Sequence, residues 1–444
     1  MTSAPSLPDT PPMASVSPRI SYLRSLGSIR VTARQMLADA RRGASRNFRV
    51  HDDKIHAAAQ FVAQVTLEQY PTLDIPFHSR WRHFEIPGVV SETGSAAMPG
   101  VLPAPRNLAY EILGDPPHAP EADADARRAW LTRAWDLAMV SVLLDAGAGD
   151  VWTYNDEATG RTFRRSEGLG MASLRMFQRE MFSSDPATDP LRADALRLSQ
   201  LDPAELGAGF QITAQNPMAG LEGRAQLLRS FGEKLLFPDG GMGALARPGD
   251  LVSVALGAAT DGGVSIPALV GELLNRFSSM WPGRAAVDGA AMGDVWAFPG
   301  AGTGSPAPGF VPFHKLTQWL TYSLAEPLVA TGIAIIGLSE LTGLPEYRNG
   351  GLLIDSGILE LTDPAATTAA HAPDSALIVE WRALTVALLD EIADEVRIQL
   401  QRPGLELAKI LQGGTWTAGR RLAAEKRGVL APPPLKIDSD GTVF

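Results

Sequence analysis

The chain has 444 residues, of which 45% are hydrophobic and 20% are charged, and it contains no cysteine. This balance is typical of a globular protein with a large core, and the lack of cysteine excludes disulfide bonds, thiolate metal sites and cysteine nucleophiles. The 39 basic residues are outnumbered by 49 acidic ones and form no long block, which argues against nucleic-acid and anionic-membrane partners.

The first third of the chain predicts a tail, two helices and a long loop. Residues 1–18 are rich in Ser, Pro and Thr and lack the basic start and apolar core of a signal peptide, so we expect a disordered tail and a cytoplasmic protein. Apolar residues recur at helical spacing over residues 20–40, and Asp52 is placed to cap a second helix that reaches Tyr70. Residues 71–105 are dense in Pro and Gly, which predicts a long ordered loop or a few short strands.

The middle of the chain alternates helical patterns with turns. Residues 123–144 predict a helix that glycines end. Residues 151–154 and 161–163 flank a turn and predict a small hairpin, after which Ser166 is the expected N-cap of the next helix. A further helix is predicted over residues 266–277.

The last third has the strongest helical pattern. Residues 300–309 hold four glycines and two interior prolines, which suits either a boundary between lobes or a flexible active-site loop. Helices are predicted over residues 313–328 and 375–400, separated by a glycine-punctuated connection over residues 338–355 with room for one strand. We therefore expect a mainly α fold, a large multi-helical globular domain with a few short strands or hairpins, in which residues 19–444 form one domain or two packed lobes.

Residues 343–351 contain the densest group of functional side chains. Glu346, Tyr347, Arg348 and Asn349 place a carboxylate, a phenol, a guanidinium and a carboxamide in succession between glycines. Such a loop is suited to converge on a polar ligand. The alternative is a turn whose polar side chains only satisfy the local backbone.

A second group lies at the start of the helix predicted over residues 313–328. His314 and Gln318 share one helix face, while Lys315 and Trp319 share the adjacent one. A lysine near a helix N-terminus is unfavourable for the helix dipole unless an anion binds there. A solvated face is the alternative.

A third group runs from Asp145 through Trp152 to Arg165 and Glu167. Asp145 follows an apolar run, so its carboxylate should lie at the mouth of the core. It is either an acid–base catalyst or a helix-end acid that binds backbone amides, and the sequence does not choose between them.

The long C-terminal helix carries Glu380 and Arg382, which point about 200° apart on an undistorted helix. Glu380 is the expected pocket residue, and Arg382 is expected to brace a neighbouring segment by a salt bridge. No glycine-rich phosphate motif, zinc-type histidine pair or serine nucleophile elbow occurs in the sequence. These absences argue against kinases, dehydrogenases, zinc hydrolases and the common esterase fold. The expected site contains no metal and no cofactor.

Several long strings resemble the Urc-four/Urg-three family of uracil catabolism proteins, long catalogued as a domain of unknown function. They are residues 140–149, 160–163, 165–169, 311–320, 341–351 and 380–385. They keep the family's order, and the resemblance runs from about residue 20 to the C-terminus. It implies a place in a route that converts uracil to its ribonucleotide, opens the ring and releases urea and a three-carbon acid.

A weaker resemblance links two of these strings to the helical N-glycosidases of queuosine salvage. Residues 314–318 are similar to the start of a helix in that family, and residues 380–383 are similar to its Glu-x-Arg-Ala string. The aspartate that the family places just before that helix is replaced here by Pro312 and Phe313. If the fold is shared, another carboxylate must act, and the candidates are Asp145, Glu346 and Asp355.

These features together suggest a hydrolase of the N-glycosidic bond in a phosphorylated ribosyl urea or a related ring-opened nucleotide. That chemistry needs a carboxylate that positions or deprotonates water, a group that stabilises the charge of an oxocarbenium-like sugar, and a proton donor for the leaving nitrogen. The candidates for binding the phosphate are Arg348, Lys315 and Arg165. The candidates for stacking on a planar urea or base are Trp152 and Trp319. The alternative is a non-catalytic metabolite-binding or assembly partner of the ring-opening enzyme. A homodimer is compatible with either.

Overall fold

Helices dominate the computed structural model, which describes residues 17–90, 105–118, 123–149, 151–239, 242–260, 262–281, 285–428 and 430–438. The helices are α1 (Pro18–Leu23), α2 (Leu26–Arg41), α3 (Ile55–Gln69), α4 (Leu108–Leu113), α5 (Ala124–Leu143), α6 (Arg165–Gln178), α7 (Ala195–Ser199), α8 (Pro203–Gly209), α9 (Leu221–Leu236), α10 (Leu251–Gly257), α11 (Ile266–Phe277), α12 (Lys315–Ala330), α13 (Tyr347–Asp355), α14 (Ala376–Gln399), α15 (Leu407–Ile410) and α16 (Trp416–Arg427). A 3₁₀ turn spans Arg80–Phe84, and a π-helical turn, Leu411–Thr415, joins α15 to α16. The expected mainly α fold is confirmed.

The strands are short and pair two by two in the described ranges. They are β1 (Phe48–Val50), β2 (Glu85–Val90), β3 (Pro105–Asn107), β4 (Thr153–Asp156), β5 (Arg161–Arg164), β6 (Val264–Ser265), β7 (Ala286–Val287), β8 (Ala290–Ala291), β9 (Val295–Ala297), β10 (Phe310–Pro312), β11 (Ile335–Ile336), β12 (Leu359–Leu361), β13 (Ala370–His371) and β14 (Lys436–Ile437). Antiparallel pairs are β1–β12, β2–β3, β4–β5, β7–β8 and β9–β10, and parallel pairs are β6–β11 and β13–β14.

Several predicted elements are confirmed closely. The β4–β5 hairpin pairs Thr153 with Arg164, and α11 has the predicted bounds. Residues 300–309 join β9 to β10 through hydrogen-bonded turns, including one from the Gly309 amide to the Ala301 carbonyl at 2.7 Å. Whether residues 19–444 form one domain or two lobes stays a prediction. Of the tail expected over residues 1–18, residues 1–16 lie outside the described residues.

Two local predictions were wrong. Residues 347–355 form the helix α13 instead of an irregular connection, because the Glu346 carboxylate caps the helix and offsets its two glycines. Gly350 is needed there because a Cβ atom would lie 2.7 Å from the Trp381 indole. The helix expected to start after Ser166 begins at Arg165, and Arg164 occupies its N-cap position.

The main core extends along the chain from Leu26 to Leu435. Its central elements are α5, which packs against α12, and α14, which packs against α2 and α3. These helices bury apolar side chains over most of their length.

No helix in the described part of the chain has the length and apolar character that crossing a membrane requires.

An ion pair that is largely shielded from solvent fixes the start of α12. The Asp294 carboxylate accepts hydrogen bonds from both terminal nitrogens of Arg382 at 2.8 Å, from the Lys315 amide at 2.9 Å and from the Trp296 indole at 2.6 Å. Burial raises the pKa of Asp294, but the Arg382 charge and these hydrogen bonds outweigh it and hold the pKa below its usual range. The Arg382 guanidinium also lies 4.0 Å from the centre of the Phe313 ring. The expected bracing role of Arg382 is confirmed.

We expect Asp294→Asn to lower the free energy of unfolding by about 3–5 kcal/mol, because it removes the buried negative charge that both terminal nitrogens of Arg382 bind. Urea denaturation followed by far-ultraviolet dichroism measures this loss. The control is Asp288→Asn, which breaks the surface pair with Arg19 and should cost less than about 1 kcal/mol. Similar losses for the two variants would contradict a special role for the Asp294 pair.

Candidate functional site

Charged and aromatic side chains converge where the 3₁₀ turn Arg80–Phe84, the end of α5 and the N-termini of α6, α12 and α13 meet. We call this group the polar cluster, and its members are His78, Arg80, His83, Asp145, Ser166, Lys315, Trp319, Glu346 and Tyr347. The cluster joins residues up to 269 positions apart in the chain, from 78 to 347. Only the tertiary structure brings them together.

Arg80 organises one side of the polar cluster and is fully buried. Its Nη1 donates to Asp145 Oδ1 at 2.9 Å and to the Ser166 carbonyl at 3.2 Å, while its Nε donates to Ser141 Oγ at 2.6 Å. The Ser166 hydroxyl donates to Asp145 Oδ2 at 3.1 Å. Both oxygens of Asp145 are therefore held in place, and its side chain remains 13% exposed.

The aromatic wall of the polar cluster is Trp319. The Arg80 guanidinium lies 5.5 Å from the Trp319 ring centre, and the His83 ring meets the indole edge-on at 5.8 Å. Helix α6 packs closely behind this group, since a Cβ atom on Gly170 would lie 2.7 Å from His83 Cβ. Close packing fixes the orientation of these rings.

Arg224 supports Asp145 from behind. It is fully buried, and its guanidinium donates to the backbone carbonyls of Leu144, Ala146, Gly147 and Ala219. Burial lowers the pKa of Arg224 to about 10, and the Asp145 charge opposes this shift. The turn that carries Asp145 is thus tied to α9 by one buried cation.

Lys315 and Glu346 form the other side of the polar cluster, and both are half-buried. The Glu346 carboxylate accepts hydrogen bonds from the amides of Arg348 at 2.7 Å and Asn349 at 2.5 Å. Burial raises the pKa of Glu346, although these amides and Lys315 oppose the shift. Burial lowers the pKa of Lys315, opposed first by Glu346 and more weakly by Asp145. Three carboxylates therefore act on the Lys315 charge, since Asp294 also opposes the effect of burial, while the Arg382 charge adds to it.

Two histidines of the polar cluster are neutral at pH 7. Burial lowers the pKa of His78 to about 4, and burial together with the Arg80 charge lowers that of His83 to about 3. The Nδ1 atom of His78 lies 3.0 Å from Gln412 Oε1, while Gln412 Nε2 donates to the Tyr70 hydroxyl at 3.3 Å. This amide orientation places the His78 proton on Nδ1. Gln412 belongs to the π-helical turn, a distortion often found at functional sites.

Arginines surround the outer edge of the cluster near Tyr347. The Arg348 guanidinium lies 4.8 Å from the Tyr347 ring centre, and Arg420 donates to Glu167 at 3.0 Å. Burial lowers the pKa of Arg348, opposed by Tyr347 and Glu346, while the charges of Arg165 and Arg420 lower it further. Three arginine charges therefore gather at this edge, and Glu167 pairs with one of them.

Two carboxylates expected in the site lie elsewhere. Asp355 accepts hydrogen bonds from both terminal nitrogens of Arg427, at 2.7 and 2.5 Å, and only 3% of its side chain is exposed. Glu380 accepts a hydrogen bond from the Asn47 amide at 2.7 Å. The structure therefore brings Asp145 and Glu346 together, but not Asp355 or Glu380.

The two predicted faces of α12 have different surroundings. His314 is buried, and its Nε2 lies 2.8 Å from a carbonyl at the end of α1, while Gln318 donates to Thr342 Oγ1 at 3.0 Å. These two residues lie in the core. Lys315 and Trp319 point into the polar cluster, so only one of the two faces contributes to the candidate site.

Two further expected residues also have structural partners. Trp152 is buried against Phe210 and donates to the Phe210 carbonyl at 2.9 Å, which leaves it away from the cluster. The Asn349 side chain donates to the Leu344 carbonyl at 3.1 Å within the turn before α13. Neither side chain faces Lys315.

The sequence analysis missed His78, Arg80 and His83, which lie in the segment predicted only as a long ordered loop or a few short strands. A signal was present, because residues 78–83 hold two histidines and two arginines around Trp81. Ser166 was predicted as a helix cap, not as a partner of Asp145. Within the described residues, no group of His, Asp and Glu side chains is arranged to hold a metal ion.

Residues 22–96 and 118–444 match a family described as a protein of unknown function (DUF1688). Protein urg3 of Schizosaccharomyces pombe is 38% identical over 437 residues, covering 96% of this chain and 99% of that protein. Uracil catabolism protein 4 of Lachancea kluyveri is 34% identical over 456 residues, again covering 96% of this chain and 99% of that protein. The candidate site lies within the matched residues.

We expect Gly170→Ala to destabilise the protein by about 1–3 kcal/mol, because the new methyl group overlaps His83 and must displace it. Gly271→Ala is the matched control in α11, where no atom lies within 4 Å of the added Cβ. It should stabilise the protein by about 0.5–1 kcal/mol, the helix preference of alanine over glycine. Thermal unfolding of both variants tests this, and two changes of the same sign would contradict the packing argument.

Stability should also depend on pH through His78. The unfolded ring takes up a proton below its ordinary pKa of 6.5, whereas the folded ring does so only below about 4. The free energy of unfolding should therefore fall as the pH drops from 6.5 to 4, and His78→Gln should reduce that fall. The control is Gln60→Asn, at an exposed position without a titratable group, which should keep the wild-type profile. Equal profiles for the two variants would be inconsistent with a buried neutral His78.

Proposed function

Because the chain belongs to the DUF1688 family and is similar over nearly its whole length to a uracil catabolism protein, we propose that it acts in uracil catabolism. In our proposal it hydrolyses the N-glycosidic bond of a phosphorylated ribosyl urea or a related ring-opened nucleotide. The substrate class comes from the pathway, and the reaction type rests on the polar cluster.

The observation that carries the proposal is that Asp145, held by Arg80 beside Trp319, and Glu346, at the start of α13, both lie close enough to Lys315 to act on its charge. Hydrolysis of an N-glycoside needs a carboxylate for water, negative charge near the oxocarbenium-like sugar and a proton donor for the leaving nitrogen. Two carboxylates and one ammonium group meet this need. Trp319 and Tyr347 add aromatic surfaces suited to a sugar or a planar urea.

The surroundings of each group favour a particular role. Glu346 is the proposed base, since burial raises its pKa and two backbone amides fix its orientation. Asp145, anchored by Arg80 and Ser166, is placed to stabilise positive charge on the sugar. Lys315 is the proposed proton donor, because burial lowers its pKa and makes proton release easier.

The phosphate group belongs at the arginine-rich edge of the cluster. Two carboxylates near Lys315 would repel a phosphate dianion, which disfavours the phosphate-binding role that the sequence suggested for this lysine. Glu346 also acts on Arg348, but among the described residues neither Arg165 nor Arg348 makes an ion pair with a carboxylate, and the Arg165 charge lies near Arg348. Their planar guanidinium groups also suit phosphate oxygens.

A non-catalytic metabolite-binding protein is the second candidate. The observation that favours it is that both carboxylates already have structural partners, Asp145 in Arg80 and Glu346 in the backbone of α13. Incubation with a ribosyl urea 5-phosphate, followed by measurement of urea and ribose 5-phosphate, separates the two. Tight binding without release of either product would favour the non-catalytic function.

We expect Glu346→Gln to reduce turnover by about 10²- to 10⁴-fold, because the amide lacks the charge and basicity of a general base. Its remaining oxygen still accepts a hydrogen bond at the start of α13, so the free energy of unfolding should change by less than about 1 kcal/mol. Steady-state kinetics and urea denaturation of the same preparation measure both quantities.

The control removes a helix cap far from the polar cluster. Ser375 caps α14 by accepting the Ile378 amide, and Ser375→Ala should cost about 1 kcal/mol of stability while turnover stays normal. If Glu346→Gln instead behaves like Ser375→Ala, Glu346 is a cap alone and Asp145 becomes the candidate base.

A further inference from the structure

The C-terminal segment crosses the arginine-rich edge of the polar cluster, and we call residues 430–432 the strap. Three arginines donate in order to its three successive carbonyl oxygens: Arg165 to Leu430 at 2.7 Å, Arg348 to Ala431 at 2.6 Å and Arg427 to Pro432 at 2.8 Å. The strap therefore lies directly on the two arginines that suit a phosphate.

The three arginines differ in how their charge is neutralised. Arg427 is paired with the buried Asp355 through both terminal nitrogens. Arg165 and Arg348 make no ion pair with a carboxylate within the described residues, although Arg348 is only 3% exposed. A carbonyl oxygen carries only a partial charge, so the strap solvates these two cations without neutralising them. A buried cation in this state attracts an anion strongly.

The strap is held in a strained conformation. Ala431 has φ 44°, in the left-handed region that non-glycine residues disfavour, and Arg165 has φ 55°. Such angles persist only where surrounding contacts enforce them, and they concentrate at ligand clamps and switch regions. Losing the arginine contacts would release part of this strain.

We propose that Arg165 and Arg348 form a phosphate site that the carbonyl oxygens of Leu430 and Ala431 fill in this structure, and that the phosphate group of a ligand displaces these two strap residues. The carbonyls use the terminal nitrogens, Nη2 of Arg165 and Nη1 of Arg348. A phosphate needs those nitrogens for paired hydrogen bonds, and its full charge makes it the stronger acceptor. The ligand class rests on the proposed function.

The displacement needs only a short movement. Gly428, with φ 82°, ends α16 just before the strap, and the buried Leu435 together with the β13–β14 pair anchors the far end. The Leu430 side chain is 65% exposed and buries little surface in the closed position. Ala431 is buried, but its side chain is a single methyl group, so moving these two residues exposes little apolar surface.

The native chain lacks cysteine, so Leu430→Cys accepts one environment-sensitive fluorophore at the strap without further changes. Titration with inorganic phosphate should give a saturable change in emission, and potassium chloride at equal ionic strength should give none. The same label in Arg165→Ala or Arg348→Ala should lose the response to phosphate, with circular dichroism confirming that each variant is folded.

A second variant tests the competition itself. Arg427→Lys keeps a cation for Asp355 but loses the Nε donor to the Pro432 carbonyl, which weakens the strap without touching the phosphate site. Calorimetry should show phosphate binding roughly two- to ten-fold tighter than wild type, the effect of one hydrogen bond. Arg402→Lys, at an exposed position, is the control and should bind phosphate as the wild type does.

Three results would overturn the proposal: no phosphate binding by the wild-type protein, phosphate binding that leaves the Leu430 label unchanged, and an unchanged affinity in Arg427→Lys. All of these measurements follow binding and none requires turnover. Failure of the hydrolase proposal would instead appear as phosphate-dependent strap movement in a protein that releases neither urea nor ribose 5-phosphate.

Discussion

The ion pair between Asp294 and Arg382 determines where α12 begins, and the candidate site depends on that position. By accepting the Lys315 amide as well, Asp294 ties α12 to α14 at the residue that enters the polar cluster. One face of α12 then lies in the core while Lys315 and Trp319 face the other carboxylates. Breaking a charge pair that is so shielded from solvent costs much free energy. The pair therefore holds α12 against a rotation that would separate the residues of the site.

Buried arginines around the polar cluster are stabilised in two different ways. Arg80 is neutralised by Asp145, whereas Arg224 and Arg348 are solvated by backbone carbonyls. Backbone carbonyls hold a cation in place without cancelling its charge, so the cation still acts on nearby groups in a medium of low dielectric. Arg224 thereby orients the turn of Asp145, and Arg348 stays available to an anion.

Under the proposed function, the polar cluster and the arginines beneath the strap bind different parts of the ligand. The carboxylates, Lys315 and Trp319 suit the uncharged sugar and urea part, while the arginines beneath the strap suit a phosphate. Asp355, expected as a catalytic residue, lies on the strap side and anchors Arg427. The two relatives align with this chain over nearly their whole length, so the polar cluster and the strap both lie within the aligned residues.

Local pattern alone determined much of this protein, including the bounds of α11, the β4–β5 hairpin and α14, because apolar spacing and turn residues act within a few positions. It also singled out Asp145, Lys315 and Glu346. It misjudged α13, whose two glycines suggest a loop, because the sequence does not show that Trp381 packs against Gly350 or that Glu346 caps the helix. The arginines and histidines around Trp81 were a local signal, but only the tertiary structure could show the role of Arg80, because that role depends on contacts 61 to 86 positions away in the chain. The two faces of α12 likewise differ only through their tertiary surroundings.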